Sequence, residues 1–110
     1  MKLPNHERAV VDIDKLTNYN LNNEHPRGKH KAKVFAAALG LTQEDAPELQ
    51  AALLAAANSY EVTATEWDEY GQRYMLDFSM STPTGSAIVR SAWIILTAED
   101  FPRFVTCYIL

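Results

Sequence analysis

The chain has a single cysteine, Cys107, so an internal disulfide is excluded. That fits a reducing compartment, and a cytoplasmic protein is expected. No apolar run approaches the roughly 18 to 20 residues that cross a bilayer, so no membrane role is expected. Met1 to Arg8 lacks the apolar stretch of a signal peptide. Only four glycines are present, and none opens a phosphate-cradling loop. No serine sits in a nucleophile elbow. Positive charge is also scarce. Ten Lys and Arg stand against fourteen Asp and Glu, a formal net charge of −4. A polyanion would therefore have to meet a local patch rather than the whole surface.

Soft metal ligands are sparse too. His25 and His30 are five positions apart, with no third or fourth ligand at a recognisable spacing. Neither a metal nor a cofactor is expected. Cys107 alternates with apolar neighbours and reads as a buried thiol rather than a nucleophile. Glu66, Asp68 and Glu69 read as a solvated hairpin tip.

What is present describes one domain, residues 1–110, by size and by an ordinary globular hydrophobic fraction of 47%. Pro4 to Asp14 reads as a lead-in, and the first three residues are expected to matter little. Val10, Val11 and Ile13 suit a brief strand or an anchor. Asp14 suits the cap of a short helix through Tyr19. Asn20, Asn22 and Asn23 mark a loop.

His25-Pro26-Arg27-Gly28 is turn chemistry: proline pushes the residue before it out of the helical region. A helix follows over 29–39, because Ala32, Phe35, Ala36 and Leu39 recur at helical spacing. Gly40 suits a left-handed stop. A second helix covers 46–58, with Asp45 as cap, Glu48 as its partner, and Pro47 in the first turn. From Tyr60 the pattern becomes β-branched and aromatic. It predicts four strands, Tyr60–Trp67, Gln72–Met80, Ala87–Leu96 and Arg103–Ile109, joined by short loops that enforce antiparallel pairing. The expected fold is α+β, with N-terminal helices on one face of a four-stranded antiparallel meander. A four-residue turn Thr82–Gly85 would place Asp77 opposite Arg90; a three-residue turn would place Phe78 there.

The densest chemistry lies between Glu24 and Phe35. Lys29, His30, Lys31 and Lys33 could face phosphates near a helix start, or simply solvate one helix face. His25 suits an orienting or proton-transferring histidine, or a polar loop residue. On the wheel, His30 points away from the apolar seam. Arg90, inside a strand, must find an acceptor or reach water. Thr106 and Tyr108 put hydroxyls on the face of the last strand opposite Val105, Cys107 and Ile109.

Several motifs carry a resemblance. They are Lys15-Leu16-x-x-Tyr19, His25-Pro26-x-Gly28-x-x-Lys31-Ala32-x-x-Phe35 and Leu39-Gly40. Tyr70-Gly71-x-x-Tyr74, Val89-Arg90-Ser91-Ala92-Trp93 and Pro102-x-x-Val105-Thr106-Cys107-Tyr108 complete the set. Together they resemble an uncharacterised family of small bacterial domains, found alone or similar to the C-terminal modules of polymorphic toxins. The element order is also similar to metal-independent ribonuclease toxins of the barnase, colicin and RelE type. That resemblance implies cleavage of RNA phosphodiesters. It implies His25, Lys31, Arg90 and Thr106 as catalytic residues, with Lys29, Lys33 and Tyr108 on the substrate. The rival reading is a non-catalytic binding module, such as the antitoxin or immunity partner of a neighbour-encoded protein, which an acidic surface suits.

Overall fold

The computed structural model describes residues 1–110. Helix α1, Ile13–Lys15, continues into a π-turn, Leu16–Asn20; α2 is Lys29–Leu39 and α3 is Ala46–Ser59. Strands β1, Thr63–Asp68, β2, Gly71–Ser81, β3, Ser86–Leu96, and β4, Arg103–Ile109, follow. They form one antiparallel sheet in the order β1-β2-β3-β4. The fold is α+β, with helices first and a meander after them. No helix is long and apolar enough to cross a membrane.

The helices form where the periodicity indicates. Ala32, Phe35 and Leu39 bury one face of α2, and Gly40 ends it at φ 68°. Leu49, Leu53, Ala56 and Ala57 bury one face of α3. Two caps differ from expectation. Asp12, not Asp14, caps α1, accepting from Asp14 N–H at 3.0 Å. A 3-10 turn, Gln43–Asp45, precedes α3, and Thr42 and Asp45 form the reciprocal capping box around it. The extra turn moves the box three residues upstream of the position read from Pro47.

The β2–β3 register settles the question left by the turn. Ser81 pairs with Ser86 around Thr82–Gly85, and Asp77 lies opposite Arg90. One face of the sheet therefore carries Tyr74, Leu76, Phe78, Val89, Trp93, Phe104 and Cys107, all buried in the core under the helices. The other face carries Arg73, Met75, Asp77, Arg90 and Ala92 and is not covered by a helix.

The lead-in is more deeply anchored than expected. Leu3 is fully buried, Met1 C=O accepts from Val62 N–H at 2.7 Å, and the Met1 ammonium pairs with Glu61. Val10 makes a one-residue bridge to Arg103. A single leucine beside a proline has no periodicity, so nothing in its surroundings advertised this anchor.

Candidate functional site

The site is assembled where the N-terminal helices wrap the β4 edge of the sheet. The π-turn is the first determinant. Leu21 N–H bonds back to Leu16 C=O at 2.9 Å, a five-residue step. Such wide turns are rare and re-aim the side chains they carry. Here they are Tyr19 and Asn20. Asn20 is fully buried. Its Nδ2 donates to Cys107 C=O at 2.9 Å and to Thr106 Oγ1 at 3.1 Å. It thus occupies backbone and side-chain acceptors on the outer edge of β4.

The His25–Gly28 turn docks onto the same π-turn. A Cβ at Gly28 would lie 2.2 Å from Tyr19 C=O, so only glycine permits this approach. His25 Nδ1 accepts from the backbone N–H groups of Arg27 and Gly28, both at 3.0 Å. The ring therefore acts as a cap for the start of α2, and its neutral form keeps the proton on Nε2. The imidazole meets Tyr19 edge-on, with centroids 4.8 Å apart.

Lys31 lies in the first turn of α2 and reaches the centre of the cluster. Its Nζ donates to Thr106 Oγ1 at 3.2 Å. It lies 5.2 Å from the Tyr19 ring centroid and 5.4 Å from that of Tyr108. No carboxylate pairs with it. Thr106 accepts from two N–H donors, which leaves its own O–H without an acceptor in the chain. A hollow of about 340 Å³ opens beside it, lined by Lys15, Tyr19, Asn20, Lys31, Val105 and Thr106. Its two ammonium groups face no lining carboxylate. Lys15 is held there by donation to Phe104 C=O at 3.0 Å.

Arg90 pairs with Tyr108 across the β3–β4 ladder. Its guanidinium grips Asp77 through two bonds of 2.8 and 2.9 Å. The bonds to Asp77, helped by Tyr108, raise its pKa further, and hydrogen bonding to Arg90 holds the Asp77 carboxyl below the usual range. Burial pushes the Cys107 thiol up to about 12, so it stays a core thiol at neutral pH.

The structure thus brings Lys31, Thr106 and Tyr108 together, with His25 reached through Tyr19 and Arg90 placed beside Tyr108. Lys29 and Lys33 stand about 160° from Lys31 around the helix. Both are exposed, and Lys33 lines a separate hollow with Leu21 and Ala36. Three residues were missed. Asn20 had read as a loop residue, and only its place next to an apolar Leu21 hinted otherwise. Lys15 had stood only in a resemblance motif, with no role assigned to it. His30, read as pointing outward, is exposed but lines a groove with Lys31 and Tyr108.

A family model described as "Domain of unknown function (DUF6883)" matches residues 2–110, and the chain belongs to that family. No curated protein matches. Among solved structures, one chain comes from a contact-dependent growth inhibition toxin–immunity protein complex from Klebsiella pneumoniae 342. The two superpose with a TM-score of 0.68 at 17% identity, over 92% of this chain and 99% of that one. At that identity the likeness is one of fold.

Proposed function

We propose that this DUF6883 chain is a toxin-type, metal-independent ribonuclease domain, acting on RNA phosphodiesters at the β4 edge. The observation that carries the reading is the Lys31 ammonium. It has no carboxylate partner, in a chain of net charge −4, and it is bonded to Thr106 between two tyrosines. The fold shared with a toxin–immunity complex adds support. In this reaction the 2′-oxygen bonds to the adjacent phosphorus and the bond to the 5′-oxygen breaks. The proton leaves the 2′-hydroxyl for a base, and another is given to the departing 5′-oxygen. Lys31 and the free Thr106 O–H stabilise the charge building on the phosphoryl oxygens. Arg90, its charge already met by Asp77, holds Tyr108 in place. His25 contributes an Nε2–H donor rather than a base, because its Nδ1 is committed to the turn. His30, free of hydrogen bonds in the Lys31 groove, takes the base role.

The immunity-type reading has its own support in the acidic surface and in the same complex. The test separates the two. Purified chain is incubated with total RNA and with tRNA in EDTA, and expressed in a bacterial host to follow growth. The expected result is cleavage that Lys31→Ala and Thr106→Ala each reduce about 10²- to 10³-fold, with Arg90→Ala smaller. His30→Ala is expected to lose more activity than His25→Ala once both are shown to fold. No cleavage, with tight binding to a neighbour-encoded protein, moves the conclusion to the immunity-type module.

A further inference from the structure

Asn20 stands behind the β4 hollow rather than in its mouth, and it is fully buried. Which way its amide faces follows from its neighbours. The amide nitrogen lies 2.9 Å from Cys107 C=O and 3.1 Å from Thr106 Oγ1. Turned over, the amide would set its oxygen against the carbonyl oxygen, two acceptors with no proton between them. The orientation it keeps leaves Asn20 Oδ1 buried with no donor in the chain. An orphaned buried acceptor is costly, so the contribution of this amide lies in its two donated bonds.

Those bonds fix the polarity of Thr106. A hydroxyl has one proton to give and two lone pairs that accept. One lone pair accepts from Asn20 and the other from Lys31 at 3.2 Å. Neither an ammonium nor an amide NH₂ accepts in return, so the Thr106 proton is directed at neither. It is left to water or a ligand in the hollow that Thr106 lines. Val105, the extra residue of a bulge in β4, directly precedes Thr106, and bulges re-aim the side chains beside them. Lys15 and Lys31 line the same hollow and can also only donate. These three side chains suit an oxyanion with several acceptor oxygens and disfavour a group that must donate.

We infer that Asn20 is a positioning residue: by filling one acceptor site of Thr106 beside Lys31, it makes the hydroxyl a fixed donor to a phosphoryl oxygen in the hollow. The inference rests on the RNA-directed reading above for the identity of the oxyanion. It gives that site a buried residue that acts only through Thr106.

The full chain is titrated with inorganic phosphate. The Val105 methyl and Asn20 side-chain NH₂ signals are followed by NMR, and a thermal melt shows that each variant is folded. Thr106→Val, which keeps the shape and loses the hydroxyl, is expected to weaken phosphate binding about tenfold, and Thr106→Ser to restore it. Asn20→Ala is expected to cost nearly as much in the wild type but less than about twofold in the Thr106→Val background. The Asn20 NH₂ signal is expected to shift with phosphate in the wild type and not in Thr106→Val, a readout that needs no Asn20 variant. Wild-type affinity in Thr106→Val overturns the inference, as does an Asn20 signal indifferent to phosphate in the wild type. An Asn20→Ala loss of equal size in both backgrounds also overturns it, because a purely structural residue behaves that way. RNA cleavage that needs Lys31, with no phosphate binding or no coupling of Asn20 to Thr106, overturns it and leaves the nuclease reading standing. Coupled phosphate binding without any RNA cleavage does the reverse.

Discussion

The two edges of the sheet are built from opposite materials. β1 is exposed from Thr63 to Trp67, and only Asp68 is half-buried. Trp67 is 78% exposed and Tyr70 62%. The strand is short, bulged and flanked by carboxylates, which are the usual devices against edge-to-edge pairing. β4 is covered instead. α2 and the π-turn pack along it, Asn20 occupies its outer C=O at Cys107, and Phe104 and Cys107 are fully buried. The lesson is that rigidity and unpaired positive charge coincide at one edge only. Lys29 and Lys33 are unpaired too, but they stand exposed on α2; the covered edge holds its ammonium in a fixed place, on Thr106 between two tyrosine rings.

The largest break in this comparison comes from removing the covered edge. Deleting Thr106–Leu110 removes Cys107 and the partners of β3, so loss of cooperative unfolding is expected in circular dichroism and a denaturant melt. A near-wild-type transition would show that β4 is as peripheral as β1. Next in size is Asn20→Ala. It leaves the Cys107 C=O without its donor and frees Thr106, for an expected loss of about 1–3 kcal/mol. An unchanged melt would mean that the clamp is not what distinguishes this edge.

Asp77→Asn probes the ground between the edges. The partners are about one-third exposed, so the loss at neutral pH is expected to be at most about 1 kcal/mol. The Asp77 carboxyl is held low by Arg90, so its stabilisation is present above the ordinary carboxylate pKa. It disappears as pH falls through the lowered value. The wild-type and variant melts are therefore expected to converge in acid; a gap that widens there would reverse the sign. The smallest effect is expected at the free edge, where Trp67→Ala should change stability by no more than about 0.5 kcal/mol. A loss of several times that would show that β1 is held by Trp67 after all.

Much of the fold was legible because it rests on periodicity. The seams of α2 and α3, the alternation of β2 and the bounds of β4 follow from which residues must leave water together, and neighbours along the chain report that directly. The cluster of Lys31, Thr106 and Tyr108 was legible as a set of residue types, though not as a contact. Lys29 and Lys33 show the limit: three lysines at alternate positions look alike in sequence, while the helix turns two of them away.

What the sequence by itself determined is the order of elements, their apolar faces, and the absence of a disulfide, all consequences of local spacing and composition. Only the tertiary structure decided the partners. The Asp77–Arg90 register depended on a turn of three or four residues. The burial of Leu3 depended on what lay beneath it, and the capture of Asn20 by β4 on a π-turn docked against a glycine. Each joins groups far apart in the chain, and polar contacts of that kind leave no periodic trace because a single well-placed atom satisfies them.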